Sequence, residues 1–438
     1  MTLNYPNIKT KLPGPKAARI IMKTEEYVSP SYTYAYPLVV ANGEGAKVTD
    51  VDGNTFLDFA AGIAVCSTGH CHPKVVAAIK AQAEKLLHMS GTDFYYEAQA
   101  KLAECLAEVT PIKGKKKTFF ANSGAETVDG AMKLARWHTK RKQFIAFFGA
   151  FHGRTLGAVS LTASKATQRA HYFPAVPGVT HVSYGYCYRC PYNLKKESCG
   201  SYCVKWIEEQ IFKTIVPAEE VAAIIIEPIQ GEGGYVVPPP EFHKELKKLC
   251  QKYGILYVAD EVQSGMGRTG KMFAIEHFGV EPDVICTAKG IASGMPLGAI
   301  IAKADVMNWT PGSHASTFGG NPVSCEAALA TINLLTEGLM QNAAKIGEYM
   351  ITELIKMKND HEIIGDIRGL GLMLGVELVK NRTTKERASE ERNKIVQKCF
   401  EKGLLILGCG ANSIRFCPPL TITKEEADKA LEIFEGCL

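Results

Sequence analysis

No stretch of this 438-residue chain approaches the roughly 20 consecutive apolar residues that a membrane-crossing helix needs, which argues against a helical membrane protein. Basic residues do not gather either. Beyond Lys113-Gly114-Lys115-Lys116-Lys117 there is no basic block, and 50 Lys and Arg stand against 45 Asp and Glu, for a net charge of +5. That short cluster reads as a solvated loop before a strand, so no nucleic-acid partner is implied. Internal repeats and low-complexity segments are missing. So are the nucleotide fingerprints. The glycines of Gln230-Gly231-Glu232-Gly233-Gly234 fail the G-x-G-x-x-G spacing, and Gly369-x-Gly371 has Leu374 where the third glycine is required. Gly265 to Lys271 comes near a phosphate loop, but Met272 stands where a hydroxyl is needed and the loop follows its acidic strand, so a nucleotide hydrolase is not supported. The opening Met1-Thr2-Leu3-Asn4-Tyr5-Pro6 lacks the character of a signal peptide, and 14 cysteines are spread over the chain. Both suit a reducing compartment, and the expected location is the cytoplasm.

What is present is ordinary in bulk. An apolar share of 46% and a charged share of 22% describe a soluble globular protein with a large core, in two or three domains or one large domain with a smaller one. The informative stretch runs from Ile255 to Gly298. Ile255-Leu256-Tyr257-Val258-Ala259-Asp260 reads as a buried parallel strand, which places Asp260 and Gln263 at its carboxyl end, where open α/β sheets bind ligands. A second strand, Val284-Ile285-Cys286-Thr287, delivers Lys289. Two adjacent strand ends thus present a carboxylate and an amine to one pocket. That pair suits pyridoxal phosphate (PLP): a desolvated lysine loses its proton readily and can form a Schiff base with the aldehyde, while a buried carboxylate keeps the pyridine nitrogen protonated.

Along the chain, residues 1 to about 45 are rich in Pro and Tyr and read as an extended arm, and residues 46 to 59 read as a hairpin about an Asp-Gly turn. Gly69-His70-Cys71-His72-Pro73 offers adjacent metal-type ligands without a third cluster, so it reads as a loop entering a helix. Helical patterns cover Pro73 to Leu87 and Tyr95 to Val109. The strand Lys117 to Phe120 leads into Ala121-Asn122-Ser123-Gly124-Ala125-Glu126-Thr127 and a helix through Lys140, a turn where a phosphate could sit at the helix N-terminus or where Ser123 serves simply as cap. The strand Phe144 to Phe148 ends in Gly149-Ala150-Phe151-His152-Gly153-Arg154, where Phe151 could stack on a flat ring and Arg154 clamp a carboxylate. Cys187, Cys190, Cys199 and Cys203 form C-x₂-C-x₈-C-x₃-C in a Tyr/Pro/Gly-rich insertion, a pattern that fits a structural zinc, with disulfides and free thiols as the alternatives.

Together these segments resemble the class III, fold-type I, PLP-dependent aminotransferases, with the 4-aminobutyrate aminotransferases as the nearest likeness. The motifs that carry the resemblance, in family order, are Gly62-Ile63-Ala64-Val65 with Gly69-His70-x-His72-Pro73, Asn122-Ser123-Gly124-Ala125-Glu126, Phe151-His152-Gly153-Arg154, Glu227-Pro228-x-Gln230-Gly231-Glu232-Gly233-Gly234, Asp260-Glu261-Val262-Gln263 through Gly270, Lys289-Gly290, Thr317-Phe318-Gly319-Gly320-Asn321-Pro322, and Arg415-x-x-Pro418-Pro419-Leu420. The resemblance implies Lys289 as the Schiff-base and proton-transfer lysine, Asp260 on the pyridine nitrogen, Gln263 on the phenolic oxygen, and Phe151 and Val262 on the ring faces, with His152 among the cofactor contacts. It implies Ser123, Gly124 and Ala125 on the phosphate, joined by Thr317 of a second subunit, and Ile63, Arg154, Glu232 and Arg415 toward substrate, with Glu232 pairing Arg415 when a second carboxylate is absent.

The implied fold is α/β: a large domain with a mostly parallel seven-stranded sheet and a small α+β domain built from both chain ends. The expected division is an arm and part of the small domain over 1–70, the large cofactor domain over 71–328 with the cysteine insertion at 185–205, and the C-terminal small domain over 329–438. The implied reaction is ping-pong transfer of an amino group from an ω-amino acid or amine, 4-aminobutyrate-like or ornithine-like, to 2-oxoglutarate, in a homodimer or a dimer of dimers. An amino-acid racemase on the same scaffold and a non-catalytic binding protein are the alternatives; a dead relative should have lost Lys289 or Asp260, and both are present. The cysteine insertion departs from the common family pattern.

Overall fold

The computed structural model describes residues 3–438; Met1 and Thr2, the start of the segment read for a leader and an arm, lie outside the described residues. Seven strands pair into the principal sheet: β1 (Lys116–Ala121), β2 (Gln143–Phe147), β3 (Val179–Val182), β4 (Val221–Ile226), β5 (Leu256–Asp260), β6 (Val284–Thr287) and β7 (Gly298–Lys303). Their spatial order is β1-β7-β6-β5-β4-β2-β3. β7 runs antiparallel to both neighbours, and the remaining pairs are parallel, as expected for this sheet.

The central strands β4, β5 and β6 are buried at every position. Continuous apolar runs are what a sheet covered on both faces requires, and side-chain alternation divides each run between two cores. Ile224, Ile226, Tyr257 and Ile285 face one core with Phe242 and Leu246 of the helix Pro240–Tyr253. Ala223, Ile225, Val258 and Cys286 face the other with Val128, Met132 and Ala135 of the helix Gly124–Thr139.

Two smaller sheets flank this layer. One joins Val40–Glu44, Lys47–Asp50 and Thr55–Asp58 to Leu404–Leu405, the last pairing parallel with Thr55–Asp58, so both chain ends contribute to it. The other contains Ile364–Leu370, Met373–Asn381, Ser413–Phe416 and Leu407–Cys409, with Glu386–Arg387 at its side. The expected hairpin is there, with Lys47–Asp50 antiparallel to Thr55–Asp58.

The N-terminal segment differs from an extended arm. It contains the helix Pro15–Tyr27 and the strand Val40–Glu44. Pro15 suits the first helical position. The cap comes from elsewhere: the Asp52 carboxylate accepts the Lys16 and Ala17 N–H groups, each at 2.9 Å. A cap supplied from the hairpin leaves no local signal. Other boundaries moved by a few residues, as when the pattern over Pro73 to Leu87 becomes a helix only over Pro73–Ala83. Among the described residues no helix is long and apolar enough to cross a membrane.

Candidate active site

The carboxyl ends of β4, β5 and β6 converge on one cavity of about 280 Å³, lined among others by Ser123, Phe151, Asp260, Val262, Gln263 and Lys289. At the end of β5 the Asp260 carboxylate is held at both oxygens. Oδ1 accepts the Val262 N–H at 3.0 Å, and Oδ2 meets His152 Nδ1 at 2.7 Å with both side chains buried. Burial pulls the His152 imidazole down, but the Asp260 bond and charge, helped by Glu227, outweigh it and leave His152 above its ordinary value. Glu227, just past the end of β4, accepts the Phe151 and Gly231 N–H groups, each at 3.0 Å, and so ties both loops to the sheet. Burial, against the opposing pull of His152, pushes its carboxyl up to about 7. Sequence reasoning quoted Glu227 only within a motif and gave it no role.

Lys289 follows β6 with φ of +47°, a left-handed conformation that costs a non-glycine residue roughly 1–2 kcal/mol. Such a cost is tolerated where surrounding structure over-determines the conformation. Burial depresses the Lys289 ammonium; the Asp260 and Glu227 charges oppose the shift without cancelling it. The result is an amine that gives up its proton more easily than a solvated lysine.

The start of the helix Gly124–Thr139 also lines the cavity. Ser123 is its cap, with Oγ accepting the Glu126 N–H at 3.3 Å, and Glu126 returns a carboxylate to the Asn122 N–H at 2.9 Å. Both readings of Ser123 therefore meet at one position, a cap that also borders the cavity. Gly124 is required by proximity: a Cβ there would come within 2.6 Å of Val262 Cγ1. Beyond Val262, Gln263 is oriented by the Tyr235 hydroxyl, which donates to its Oε1 at 2.9 Å.

These residues fit PLP. First-turn amides suit a phosphate, Phe151 and Val262 both line the cavity and suit contact with a flat ring, and a carboxylate fixed by His152 and a backbone N–H suits a pyridinium. The buried His152 Nε2 has no hydrogen-bond partner among the described residues.

Arg415 lies on the strand Ser413–Phe416, and its Nη1 donates to Glu232 Oε2 at 3.1 Å. Glu232 Oε1 is held by Lys165 Nζ at 2.6 Å. Burial pushes the Glu232 carboxyl up, but Arg415 and Lys165 outweigh it and hold it below its ordinary value. Lys165 escaped sequence reasoning, since a lysine in a loop carries no signal. The remaining anticipated residues stand apart. Ile63 is exposed in a left-handed run from Ala61 to Ala64, two residues before the cavity-lining Val65. Arg154 is exposed, with its guanidinium 5.4 Å from the Phe151 ring centroid, and Thr317 is exposed as well; neither lines the cavity of its own chain.

The zinc expectation is not supported. Cys187, Cys190, Cys199 and Cys203 are free, and among the described residues no group of three or more His, Cys, Asp or Glu is disposed to hold a metal. Cys199 Sγ instead donates to the Lys196 carbonyl at 3.7 Å, and burial pushes Cys203 up to about 12. The insertion has another source of order: Tyr192 packs on Tyr202 and Trp206 with ring centroids 5.1 and 5.7 Å apart, and Tyr186 and Arg189 bond the buried Glu377. His70 and His72 act as loop residues, the first paired with Asp58 at 2.8 Å, the second accepting the Lys74 N–H at 3.3 Å.

The chain is also similar to known proteins. The chain is 43% identical to an alanine/serine racemase of Pyrococcus horikoshii, over 100% of this chain and 93% of that protein. It is 39% identical to a 4-aminobutyrate aminotransferase of Mycobacterium leprae, over 98% and 97%. Among solved structures, an amine transaminase from an uncultivated Pseudomonas species, in its PLP-bound form, superposes with a TM-score of 0.87 at 30% identity, covering 94% of this chain and 98% of that one. The family model described as aminotransferase class-III matches residues 27–438, and the chain belongs to that family of PLP-dependent enzymes.

Proposed function

We propose that the protein transfers an amino group from an ω-amino acid or amine, 4-aminobutyrate-like or ornithine-like, to 2-oxoglutarate in a ping-pong cycle. The observation that carries this reading is the Glu232–Arg415 ion pair, whose two charges both act on Lys289. A substrate with one carboxylate leaves Arg415 with Glu232 as its partner. One with two carboxylates needs a second cationic fork, and Arg415 is a planar, permanently charged one. A side-chain rotation of Glu232 converts the first state into the second.

In this reading PLP, when bound, supplies the aldehyde that takes up the amine and the ring that accepts electrons from the substrate carbon. The chain does the rest. Ser123, Gly124 and Ala125 anchor the phosphate, Phe151 and Val262 hold the ring, Gln263 meets the phenolic oxygen, and Asp260, braced by His152, holds a proton on the pyridine nitrogen. Lys289 carries the substrate proton. Ile63 borders the donor, and Arg154 binds a substrate carboxylate.

We propose that Thr317 serves the phosphate site of a second subunit, which makes the active unit a homodimer or a multiple of it. Supporting this are the exposed apolar side chains of Leu87, Phe94, Tyr95 and Phe318. We also propose the three-part division at residues 70 and 328, and a cytoplasmic location.

Similarity to the Pyrococcus enzyme favours a second reading, racemisation, in which Lys289 serves one face of the substrate carbon and Glu232 or a water the other. An amino-donor screen with 2-oxoglutarate, followed by glutamate formation and chiral chromatography, separates the two. Fast enantiomer interconversion of a neutral amino acid with almost no glutamate formed refutes the aminotransferase reading.

A further inference from the structure

Glu232 touches two cations rather than one, and the second belongs to no anticipated part of the site. Its Oε2 takes Arg415 Nη1 at 3.1 Å, and its Oε1 takes Lys165 Nζ at 2.6 Å. The three side chains form a gradient from inside to outside: Arg415 is 5% exposed, Glu232 16% and Lys165 45%. We infer that Lys165 is the alternative partner of Glu232, the group that retains its carboxylate when the second carboxylate of a substrate displaces it from Arg415. This rests on the aminotransferase reading and adds to it a residue that sets the preference between dicarboxylate and monocarboxylate substrates.

The surroundings limit the motion to one side chain. The Glu232 carbonyl accepts the Gly410 N–H at 2.7 Å. The next residues are pinned by Arg368, which donates to the Gly234 and Tyr235 carbonyls. Gly410 has no room for a side chain, since a Cβ there would lie 2.8 Å from the Gly233 oxygen. The backbone under Glu232 therefore stays in place. The loop that carries Lys165 is anchored as well: the Ala163 carbonyl accepts the Gly149 N–H at 3.0 Å, the Ala163 N–H donates to the Ala150 carbonyl at 2.8 Å, and the Lys165 carbonyl accepts the Gln168 N–H at 3.1 Å, so the loop is tied to the segment that carries Phe151. A third cation near Glu232, Arg392, is committed to the Cys409 and Ser413 carbonyls.

The direction of the effect follows from charge. Glu232 has little contact with water, so leaving Arg415 without another partner strands a carboxylate at a desolvation cost. With Lys165 present it exchanges two partners for one. Without Lys165 it also gives its whole charge to Arg415, and both consequences oppose entry of a second carboxylate. A monocarboxylate leaves the Glu232–Arg415 pair intact and does not draw on Lys165. Lys165 is thus a positioning residue, acting through Glu232.

The test uses cofactor-loaded wild type, Lys165→Gln and Lys165→Arg, with glutarate and pentanoate binding measured by calorimetry and KM for 2-oxoglutarate measured beside them. Loss of one partly exposed charged contact should weaken glutarate binding by roughly fivefold in Lys165→Gln. Pentanoate binding should hold, kcat should fall less than KM rises, and Lys165→Arg should restore glutarate. Unchanged glutarate binding in Lys165→Gln, or equal weakening of glutarate and pentanoate, overturns the role of Lys165 while the aminotransferase reading stands. Failure of the wild type to bind glutarate overturns both.

Discussion

Replacing Arg415 by alanine should separate recognition of a second carboxylate from every other property of the site. Removing one member of a buried ion pair usually strands the other, at a cost of about 3–5 kcal/mol. Here the survivor is Glu232, and it keeps Lys165 at 2.6 Å. Arg415→Ala should therefore fold and retain cofactor much as the wild type does. The reverse deletion, Glu232→Ala, leaves a guanidinium 5% exposed without its carboxylate and should cost more stability. For a dicarboxylate acceptor, Arg415→Ala loses charge-assisted hydrogen bonds worth roughly 1.5–3 kcal/mol, equivalent to about a ten- to hundredfold rise in KM for 2-oxoglutarate. A 2-oxo acid with a single carboxylate should change several times less. Steady-state kinetics with both acceptors, beside cofactor absorbance and thermal melting, measure all of this. Equal rises in KM for the two acceptors, or no rise for 2-oxoglutarate, refute the assignment of Arg415.

Three further outcomes are expected. Lys289→Ala should abolish turnover and the visible absorption of the lysine-bound cofactor, and retention of both would remove PLP chemistry from this lysine. Burial pushes the Glu261 carboxyl from 4.5 to about 7 despite its bonds from Ser264 and the Ile275 N–H, so the folded state holds this proton in a range where the unfolded chain has released it. Stability is then lost as pH rises from about 4.5 through about 7, by about 3 kcal/mol at roughly 1.4 kcal/mol per pH unit. Glu261→Gln should accordingly gain on the wild type in denaturant midpoint at pH 8 and not at pH 5, and an equal difference at both pH values contradicts the argument. Light scattering at assay concentrations should give a dimer or a multiple of it, whereas a fully active monomer would falsify the place given to Thr317.

Much of the site could be read in advance because its chemistry coincides with local patterns. Asp260 and Lys289 end continuous apolar runs that only a sheet covered on both faces can accommodate, and the strands β5 and β6 formed within a residue of where those runs lie. Ser123 precedes a helix whose cap and small residues are legible in four consecutive letters, and Gly124 is there because Val262 leaves no space for a Cβ. Apart from the contact of Gly124 with Val262, each of these depends on residues adjacent in the chain or on the repeat of a strand or helix.

What only the tertiary structure decided depends on residues far apart in the chain. Asp52 caps a helix 35 residues before it, which is why an arm rich in proline and tyrosine contains the helix Pro15–Tyr27. His152 reaches Asp260 over 108 positions, and Glu227 joins the same charge cluster through Phe151 and Gly231. Lys165 finds Glu232 over 67 positions, and Arg415 does so over 183. The four cysteines show the converse, since spacing along the chain suggested a metal and packing did not bring them into a metal-holding group. A charge pair or ligand set is defined by separation in space, and no periodicity encodes that separation once the partners lie on different elements.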